Sequence, residues 1–127
     1  MHDRNLYEYA VIRYVPDVER EEFVNVGLLM MCKRRKWIRV CTALNNARID
    51  SFGAHHGIDE IECQLRTFLS TVNGDPASGP IGELPVEERF RWLTAVKSAC
   101  IQTSRPHPGM ALNLDEEFER LFVKLVQ

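Results

Sequence analysis

The side chains best suited to bind an anion stand together near the C-terminal end of the chain. Ser104, Arg105, His107 and Gly109 lie in a proline-rich segment. An arginine can donate two parallel hydrogen bonds to a phosphate, a histidine can donate another, and a glycine lets a ligand approach the backbone. The alternative is a surface loop with a solvated histidine. Since no third residue is identifiable for a triad, the segment predicts a ligand site and no catalytic residue.

A second candidate group lies inside the most apolar stretch of the chain, residues 22–31. Asn25 interrupts this stretch, and Glu22 begins it. A buried carboxamide without hydrogen-bond partners costs about 1–3 kcal/mol. Asn25 therefore either ties a neighbouring loop or turn, for which Glu22 is the nearest candidate, or faces a pocket. Under the second alternative, Glu22, Asn25, Ser104 and His107 would converge on one site.

The spacing of histidine and cysteine argues against a metal site. His55 and His56 are adjacent, so their side chains diverge in most backbone conformations instead of sharing one ion. The cysteines form no CxxC pair and stand among apolar residues, which predicts reduced, buried thiols at Cys32, Cys41, Cys63 and Cys100. The sequence therefore predicts neither a metal nor another cofactor.

Basic residues are dense in one place, from Lys33 to Lys36. This cluster falls between two strand patterns, and the formal net charge of the chain is −2 with a pI near 6.1. A nucleic-acid-binding domain usually carries a basic face, so the cluster is interpreted as a solvated hairpin turn and nucleic acid as an unlikely partner. Lys97 and Ser98, at the end of a predicted helix, either help to bind an anion or meet the free helix carbonyls.

The strands that would position these groups are predicted by β-branched and aromatic residues in four segments. Residues 6–15, 23–33 and 37–42 form a meander, and 99–103 a later strand. The connector 17–22 is charged and is predicted to be a solvated turn. Gly27 inside the second strand indicates a bulge or a close backbone approach, while residues 104–113 are predicted to be a loop.

The helices are predicted by apolar residues at helical spacing. Asp59 with Glu62 and Asn113 with Glu116 have the spacing of capping boxes, and Gly74 has the position of a helix end. The predicted helices cover residues 58–73, 85–96 and 113–126, and a short helix is also considered at 46–52.

These elements predict one α+β domain over residues 1–127. The expected architecture is a mostly antiparallel sheet of about four strands, a three-strand meander plus one later strand, covered by about three helices. The chain has 127 residues, of which 45% are hydrophobic and 27% charged, as expected for one globular domain. An apolar sheet face that the helices leave uncovered would be an oligomer or partner surface.

Targeting signals are not recognisable in the sequence. The first residues lead directly into a strand pattern, and no apolar run approaches the roughly 18 residues of a spanning helix. Together with the unpaired cysteines, this predicts a cytoplasmic protein without a membrane partner.

Several segments match a known family pattern in sequence and in order: Tyr7–Pro16, Glu19–Gly27, Glu88–Ala95, Ile101–Ser104, His107–Gly109 and Leu121–Val126. Over nearly the whole chain, they resemble the domain-of-unknown-function family numbered 3037. The chain departs from that pattern at Val96–Lys97, where a Pro-Arg pair is common, and at Arg105, where a smaller apolar residue is usual. The first departure weakens the case for an arginine-based anion site at that position, and the second argues against Arg105 as the carrier of a family-wide function.

The same resemblance implies a small bacterial protein without an established activity. Members are often encoded beside a kinase that resembles HipA, the serine/threonine kinase of toxin–antitoxin systems. We therefore expect a binding or regulatory module that acts with a protein partner such as a HipA-like kinase, and not an enzyme. A homodimer is the other partner considered, and the alternative function is a small enzyme or a nucleotide or phosphate binder that uses the Ser104–His107 loop.

Overall fold

A five-stranded antiparallel sheet forms the centre of the molecule. The computed structural model describes residues 4–51, 57–95 and 100–127, apart from the side chain of Val18. The strands are β1 (Asn5–Tyr14), β2 (Val24–Cys32), β3 (Trp37–Thr42), β4 (Ile101–Thr103) and β5 (His107–Ala111). They lie in the order β3-β2-β1-β4, and β5 also pairs with β1. The α+β class and the meander are confirmed, whereas the described residues form five strands instead of about four.

The fifth strand corrects the predicted loop at residues 104–113. β4 and β5 follow one another along the same side of β1, with Thr103 opposite Ile12 and His107 opposite Tyr9. Pro108 lies inside β5, which is at the edge of the sheet. A proline is tolerated there because an edge strand has one side whose backbone groups need no partner strand.

A bulge in β2 confirms the prediction made from Gly27. Ile12 lies opposite Gly27 and Arg13 opposite Asn25, so Val26 is the extra residue. A Cβ atom at Gly27 would lie 3.0 Å from the carbonyl oxygen of Cys41 on β3. The backbones therefore approach closely, and the extra residue changes the alternation of side chains along β2.

The bulge also changes the face to which residues of β2 point. Strict alternation would place Val26 on the face of Leu28 and Met30, but it packs instead in the core cluster that contains Leu29 and Met31. Each residue beyond the bulge thus points to the face opposite to the one expected from a regular strand.

The described residues form four α-helices, where about three were predicted. They are α1 (Asn46–Ser51), α2 (Ile58–Asn73), α3 (Val86–Leu93) and α4 (Leu114–Leu125), and two 3₁₀ segments lie at Val18–Arg20 and Pro76–Glu83. The short helix considered at 46–52 is present as α1, with Phe52 outside the described residues.

The helix ends agree with the sequence in part. Gly74 ends α2 in the left-handed conformation with φ of 67°, and the Asn113 side chain accepts a hydrogen bond from the backbone N–H of Glu116 at 3.1 Å at the start of α4. The predicted capping box of α2 is wrong. The helix begins at Ile58, which places Asp59 inside the first turn, and no side chain caps it.

One face of the sheet, called the α2–α3 face, is covered by α2 and α3. Its core contains alternate residues of β1, namely Ala10, Ile12 and Tyr14, together with helix residues such as Phe90 and Ile61, which are fully buried. The even residues of β1 point here because side chains alternate between the faces of a strand.

The opposite face, called the α4 face, is covered by one helix. Phe118 and Phe122 of α4 pack over Leu28 and Met30 of β2, and Tyr7 of β1 lies beside them. Because α4 lies over β2 and β3, polar residues of β1 on this face remain within reach of solvent.

The remaining predictions concern turns, cysteines and residues outside the described part. Residues 33–36 form the expected exposed hairpin turn. In the connector 17–22, residues 19–22 are exposed and Asp17 is half-buried. Cys32 and Cys100 are buried and Cys41 is half-buried, but the prediction is wrong for Cys63, which is exposed. It lies on α2 outside the apolar stripe.

Some predictions fall on residues outside the described part of the chain. These residues are His55, His56 and the range 96–99, which includes Lys97 and Ser98.

Candidate functional site

The hydroxyl group of Ser104 is part of the backbone ladder between β4 and β1. Its oxygen accepts a hydrogen bond from the Val11 N–H at 2.9 Å and donates one to the Arg105 carbonyl at 3.0 Å. The Ser104 N–H in turn donates to the Val11 carbonyl at 2.8 Å. Ser104 is 5% exposed. At the junction of β4 and β5, the Ser104 hydroxyl oxygen therefore accepts a backbone hydrogen bond that a carbonyl oxygen accepts in a regular strand pair.

Arg105 and His107 flank this junction and are both exposed. The His107 ring lies 5.2 Å from the Tyr9 ring, measured between centroids, with the planes tilted by 32°. This contact follows from the register, because Tyr9 and His107 are directly opposite in the β1–β5 pair.

Asn25 lies beneath the C-terminal end of α4 on the α4 face. Its side-chain nitrogen donates a hydrogen bond to the Leu125 carbonyl at 2.9 Å, which satisfies a helix-end group that lacks a partner within the helix. The side-chain oxygen is buried without a hydrogen-bond partner. Glu22 does not contribute, because it is exposed and forms an ion pair with Arg20 at 2.7 Å.

The structure does not bring Asn25 and His107 together. Asn25 pairs with Arg13 on one side of β1, and His107 pairs with Tyr9 on the other side. Four residues of a strand span about 13 Å, so the two side chains are far beyond mutual reach. The individual ligand roles of Glu22, Asn25, Ser104, Arg105 and His107 stay predictions, but a single pocket shared by them is absent.

Arg13 is a functional candidate that the sequence reasoning missed. It is a half-buried arginine in the central strand β1, and its guanidinium carbon lies 4.1 Å from the centre of the Phe23 ring. The Nε atom is buried and has no hydrogen-bond partner. Burial lowers the pKa of Arg13 below its ordinary value, because the charged form loses hydration. One signal was visible: an arginine interrupts the apolar residues 10–15.

A hydrogen-bonded network ties β1 to α4 next to Tyr9. The Tyr7 hydroxyl donates to the Glu117 carboxylate at 2.5 Å, and Arg120 donates to the same carboxylate at 2.7 Å. Burial raises the pKa of Tyr7 to about 12, with a further contribution from Glu117. The hydrogen bond from Arg120 lowers the pKa of Glu117. These bonds fix the flank of α4 that faces β1.

Apolar side chains are exposed on the other side of the sheet, beyond the end of α3. Leu6 on β1 and Met110 on β5 are directly opposite each other and are 61% and 55% exposed. Glu8 lies one pleat further along the same face and forms an ion pair with Arg91 of α3 at 3.3 Å. Trp92 of α3, 38% exposed, completes a surface that we call the open face.

A cleft of about 670 Å³ adjoins the open face. Its floor contains Met31 of β2, and its rim carries charged residues of both signs: Glu8, Lys33, Glu87, Glu88 and Arg91. Since Arg91 is paired with Glu8, the rim retains two carboxylates and one ammonium group. An apolar floor with a slightly acidic rim suits a partner that presents an apolar side chain next to basic groups.

Metal-binding clusters and membrane-spanning helices are both absent from the described part of the chain. Within residues 4–51, 57–95 and 100–127, no three His, Cys, Asp or Glu side chains are grouped so as to hold a metal ion. Over the same residues, no helix is both long and apolar enough to cross a membrane.

Nearly the whole chain matches a known protein family. A family model described as "Protein of unknown function (DUF3037)" matches residues 9–126. No curated protein and no solved structure matches the chain. The matched range includes β1 from Tyr9 onward, the whole of β2, β3, β4 and β5, and α4.

Proposed function

The chain belongs to the DUF3037 family of proteins of unknown function, and from this premise we propose that it is a protein-binding module whose open face docks a partner. The observation that supports this proposal is the pair Leu6 and Met110, two large apolar side chains that stand opposite each other and are more than half exposed. Contiguous exposed apolar residues on a soluble domain are typical of interaction sites.

The chemistry of the cleft indicates the kind of partner. A segment that inserts an apolar side chain over Met31 and places lysine or arginine beside Glu87 and Glu88 would match both the floor and the rim. The preferred partner remains a HipA-like kinase, encoded with the protein in a bacterial genome and present with it in the cytoplasm. This part of the proposal is based on what the family resemblance implies.

A homodimer through the same face is the competing occupant. A second copy would bring Leu6 and Met110 against their own counterparts, since the commonest dimers are two-fold symmetric. Measurement of the mass of the pure protein in solution as a function of concentration distinguishes a homodimer from a monomer that binds a different protein.

The other candidate function, a small enzyme or phosphate binder on the Ser104–His107 loop, has weaker support. The Ser104 hydroxyl already makes two hydrogen bonds and is buried. A ligand that used it would have to displace a bond within the sheet, which leaves a buried N–H without a partner.

The test is binding of the purified protein to a HipA-like kinase from the same genome, measured by biolayer interferometry. Leu6→Glu and Met110→Glu should each weaken binding about tenfold or more, because each buries a charge in an apolar contact. Val123→Glu is the matched control, since Val123 is equally exposed at 58% but lies on the outer side of α4.

Equal binding of the wild type and both open-face variants would refute the proposal. A charge swap in residues 33–36 gives a second result. If it leaves binding unchanged, the hairpin turn does not belong to the interface, although Lys33 lines the cleft.

A further inference from the structure

The strip of β1 between α4 and the β4–β5 edge is not covered by a helix layer of its own. Its side chains on the α4 face are Tyr9, Val11 and Arg13, at alternate positions of one strand. Tyr9 and Arg13 are half-buried, and Val11 is buried between them. We call these three residues the β1 strip. It has an aromatic residue at one end and a cation at the other.

The cationic end has no counter-ion among the residues that the structure describes. Arg13 takes part in none of the ion pairs found among residues 4–51, 57–95 and 100–127. Its guanidinium group is held over Phe23, and only burial, with no nearby carboxylate, shifts its pKa. A fixed, partly desolvated guanidinium group is suited to bind a phosphate through two hydrogen bonds.

The flank of α4 next to the strip adds positive charge. Glu117 faces β1 through its bond from Tyr7, and Arg120 and Lys124 follow on the same flank at helical spacing. The carboxylate of Glu117 is already bound by Tyr7 and Arg120. Arg120 lies next to β1, because it shares the Glu117 carboxylate with Tyr7, and its hydrogen bond to Glu117 raises the pKa of Arg120. Lys124 is exposed and adds a charge in a protein whose net charge is −2.

The aromatic end offers a stacking surface. The Tyr9 and His107 rings are in contact at 5.2 Å, and His107 is exposed at the sheet edge. Rings presented in this way on a sheet surface bind nucleobases by stacking, with little dependence on the identity of the base.

From this juxtaposition we propose that the β1 strip binds a nucleoside phosphate, with the base stacked on Tyr9 and His107 and the phosphates bound by Arg13 and Lys124. Tyr9 and Arg13 are about 13 Å apart along the strand. This separation suits an extended nucleoside triphosphate, in which several bonds separate the base from the terminal phosphates. It is too long for an aromatic carboxylate such as an amino acid. The site lies on the opposite side of the sheet from the open face, so it is independent of the proposed partner surface.

The test is isothermal titration calorimetry, in which the dissociation constant of the full chain is measured for each of the four ribonucleoside triphosphates. Tripolyphosphate and adenosine, titrated separately, represent the two halves of the ligand. A nucleoside triphosphate should bind at least tenfold more tightly than either half, because it alone reaches both ends of the strip. If tripolyphosphate binds as tightly, or if none of the four nucleotides binds at millimolar concentration, the proposal is wrong.

Variants test the two ends of the strip. Arg13→Gln and Lys124→Gln should each weaken nucleotide binding about tenfold through loss of a charged hydrogen bond. His107→Ala should weaken it by a similar factor through loss of stacking. Arg66→Gln, an exposed arginine on α2 at the other side of the sheet, is the matched control and should bind like the wild type.

Lys124→Gln keeps the test valid if Arg13→Gln does not fold, because Lys124 is exposed and its replacement leaves the core unchanged. Equal nucleotide affinity of Lys124→Gln, His107→Ala and the Arg66→Gln control would overturn the assignment to this strip.

Discussion

The two faces of the sheet differ in what covers them and in what their side chains do. The α2–α3 face is packed with apolar residues such as Ile12, Phe90 and Ile61, all fully buried. The α4 face is covered by one helix and combines an apolar cluster with polar groups, among them Arg13, whose buried Nε has no partner. The comparison indicates that the first face supplies most of the stability. The second tolerates polar groups that a complete apolar layer would exclude, because the apolar cluster under α4 includes Tyr7 of β1 but neither Val11 nor Arg13.

The largest effect should come from the α2–α3 face. Phe90→Ala removes a fully buried ring and should lower the free energy of unfolding by about 3–5 kcal/mol, because the ring is lost from the core and leaves a cavity. Urea denaturation measures this change. Phe23→Ala is the matched control on the other side. Phe23 is 43% exposed and contacts Arg13, so its loss should cost about 0.5–1 kcal/mol. Equal costs for the two variants would remove the difference between the faces.

The next effect concerns the junction of β4 and β5. Ser104→Ala removes the acceptor of the Val11 N–H, which is inside the sheet. The expected loss is about 1–3 kcal/mol, the cost of a buried donor without a partner. Urea denaturation again provides the measurement, with Thr103→Ala as a neighbouring control whose side chain makes no such bond in the described structure. An unchanged stability would mean that the hydroxyl is available for another role.

A smaller effect is expected where α4 meets β1. Tyr7→Phe removes the hydrogen bond to Glu117 and should cost about 0.5–1.5 kcal/mol near neutral pH. The pKa of Tyr7 is raised from 10.0 to about 12, mainly by burial. The folded state therefore favours the neutral phenol. The associated stability is complete below pH 10 and is lost as the pH rises towards 12.

The wild type should consequently lose stability between pH 10 and 12 more steeply than Tyr7→Phe. Denaturation curves measured at several pH values in this window test the sign. Parallel curves for the two proteins would show that Tyr7 titrates as an ordinary tyrosine and that the contact with α4 does not bury it.

The smallest effect is expected outside both cores. Cys63 is exposed on α2, so Cys63→Ser should change the free energy of unfolding by less than about 0.5 kcal/mol. In the native protein, Cys63 should react with a thiol reagent before the buried Cys32 and Cys100. Mass spectrometry of the partly labelled protein identifies the first site, and initial labelling of Cys100 would contradict the described packing of α2.

Local patterns were sufficient for much of the fold. The meander, the hairpin turn at 33–36 and the apolar stripes of α2 and α4 were predicted because each depends on residues close in sequence. Gly27 also predicted the bulge, since a glycine within an apolar strand is typical of a close backbone approach.

The candidate site was predictable to a smaller extent. Asn25 and His107 were recognised as unusual residues, yet their partners, the Leu125 carbonyl and the Tyr9 ring, come from distant parts of the chain. Arg13 was overlooked because its significance depends on its having no ion pair within the described part of the chain. Sequence spacing does not show which groups a strand meets across a sheet.

The sequence by itself determined the α+β class, the helical stripes and the single meander, because apolar periodicity and turn residues act over short distances. Tertiary structure alone decided that 107–111 is a strand, since its proline-containing residues are extended only by pairing with β1. It also decided that α4 covers β2 and β3 and leaves Tyr9 and Arg13 of β1 partly exposed. Both outcomes depend on contacts between residues roughly a hundred positions apart, and such contacts form only when the whole domain folds.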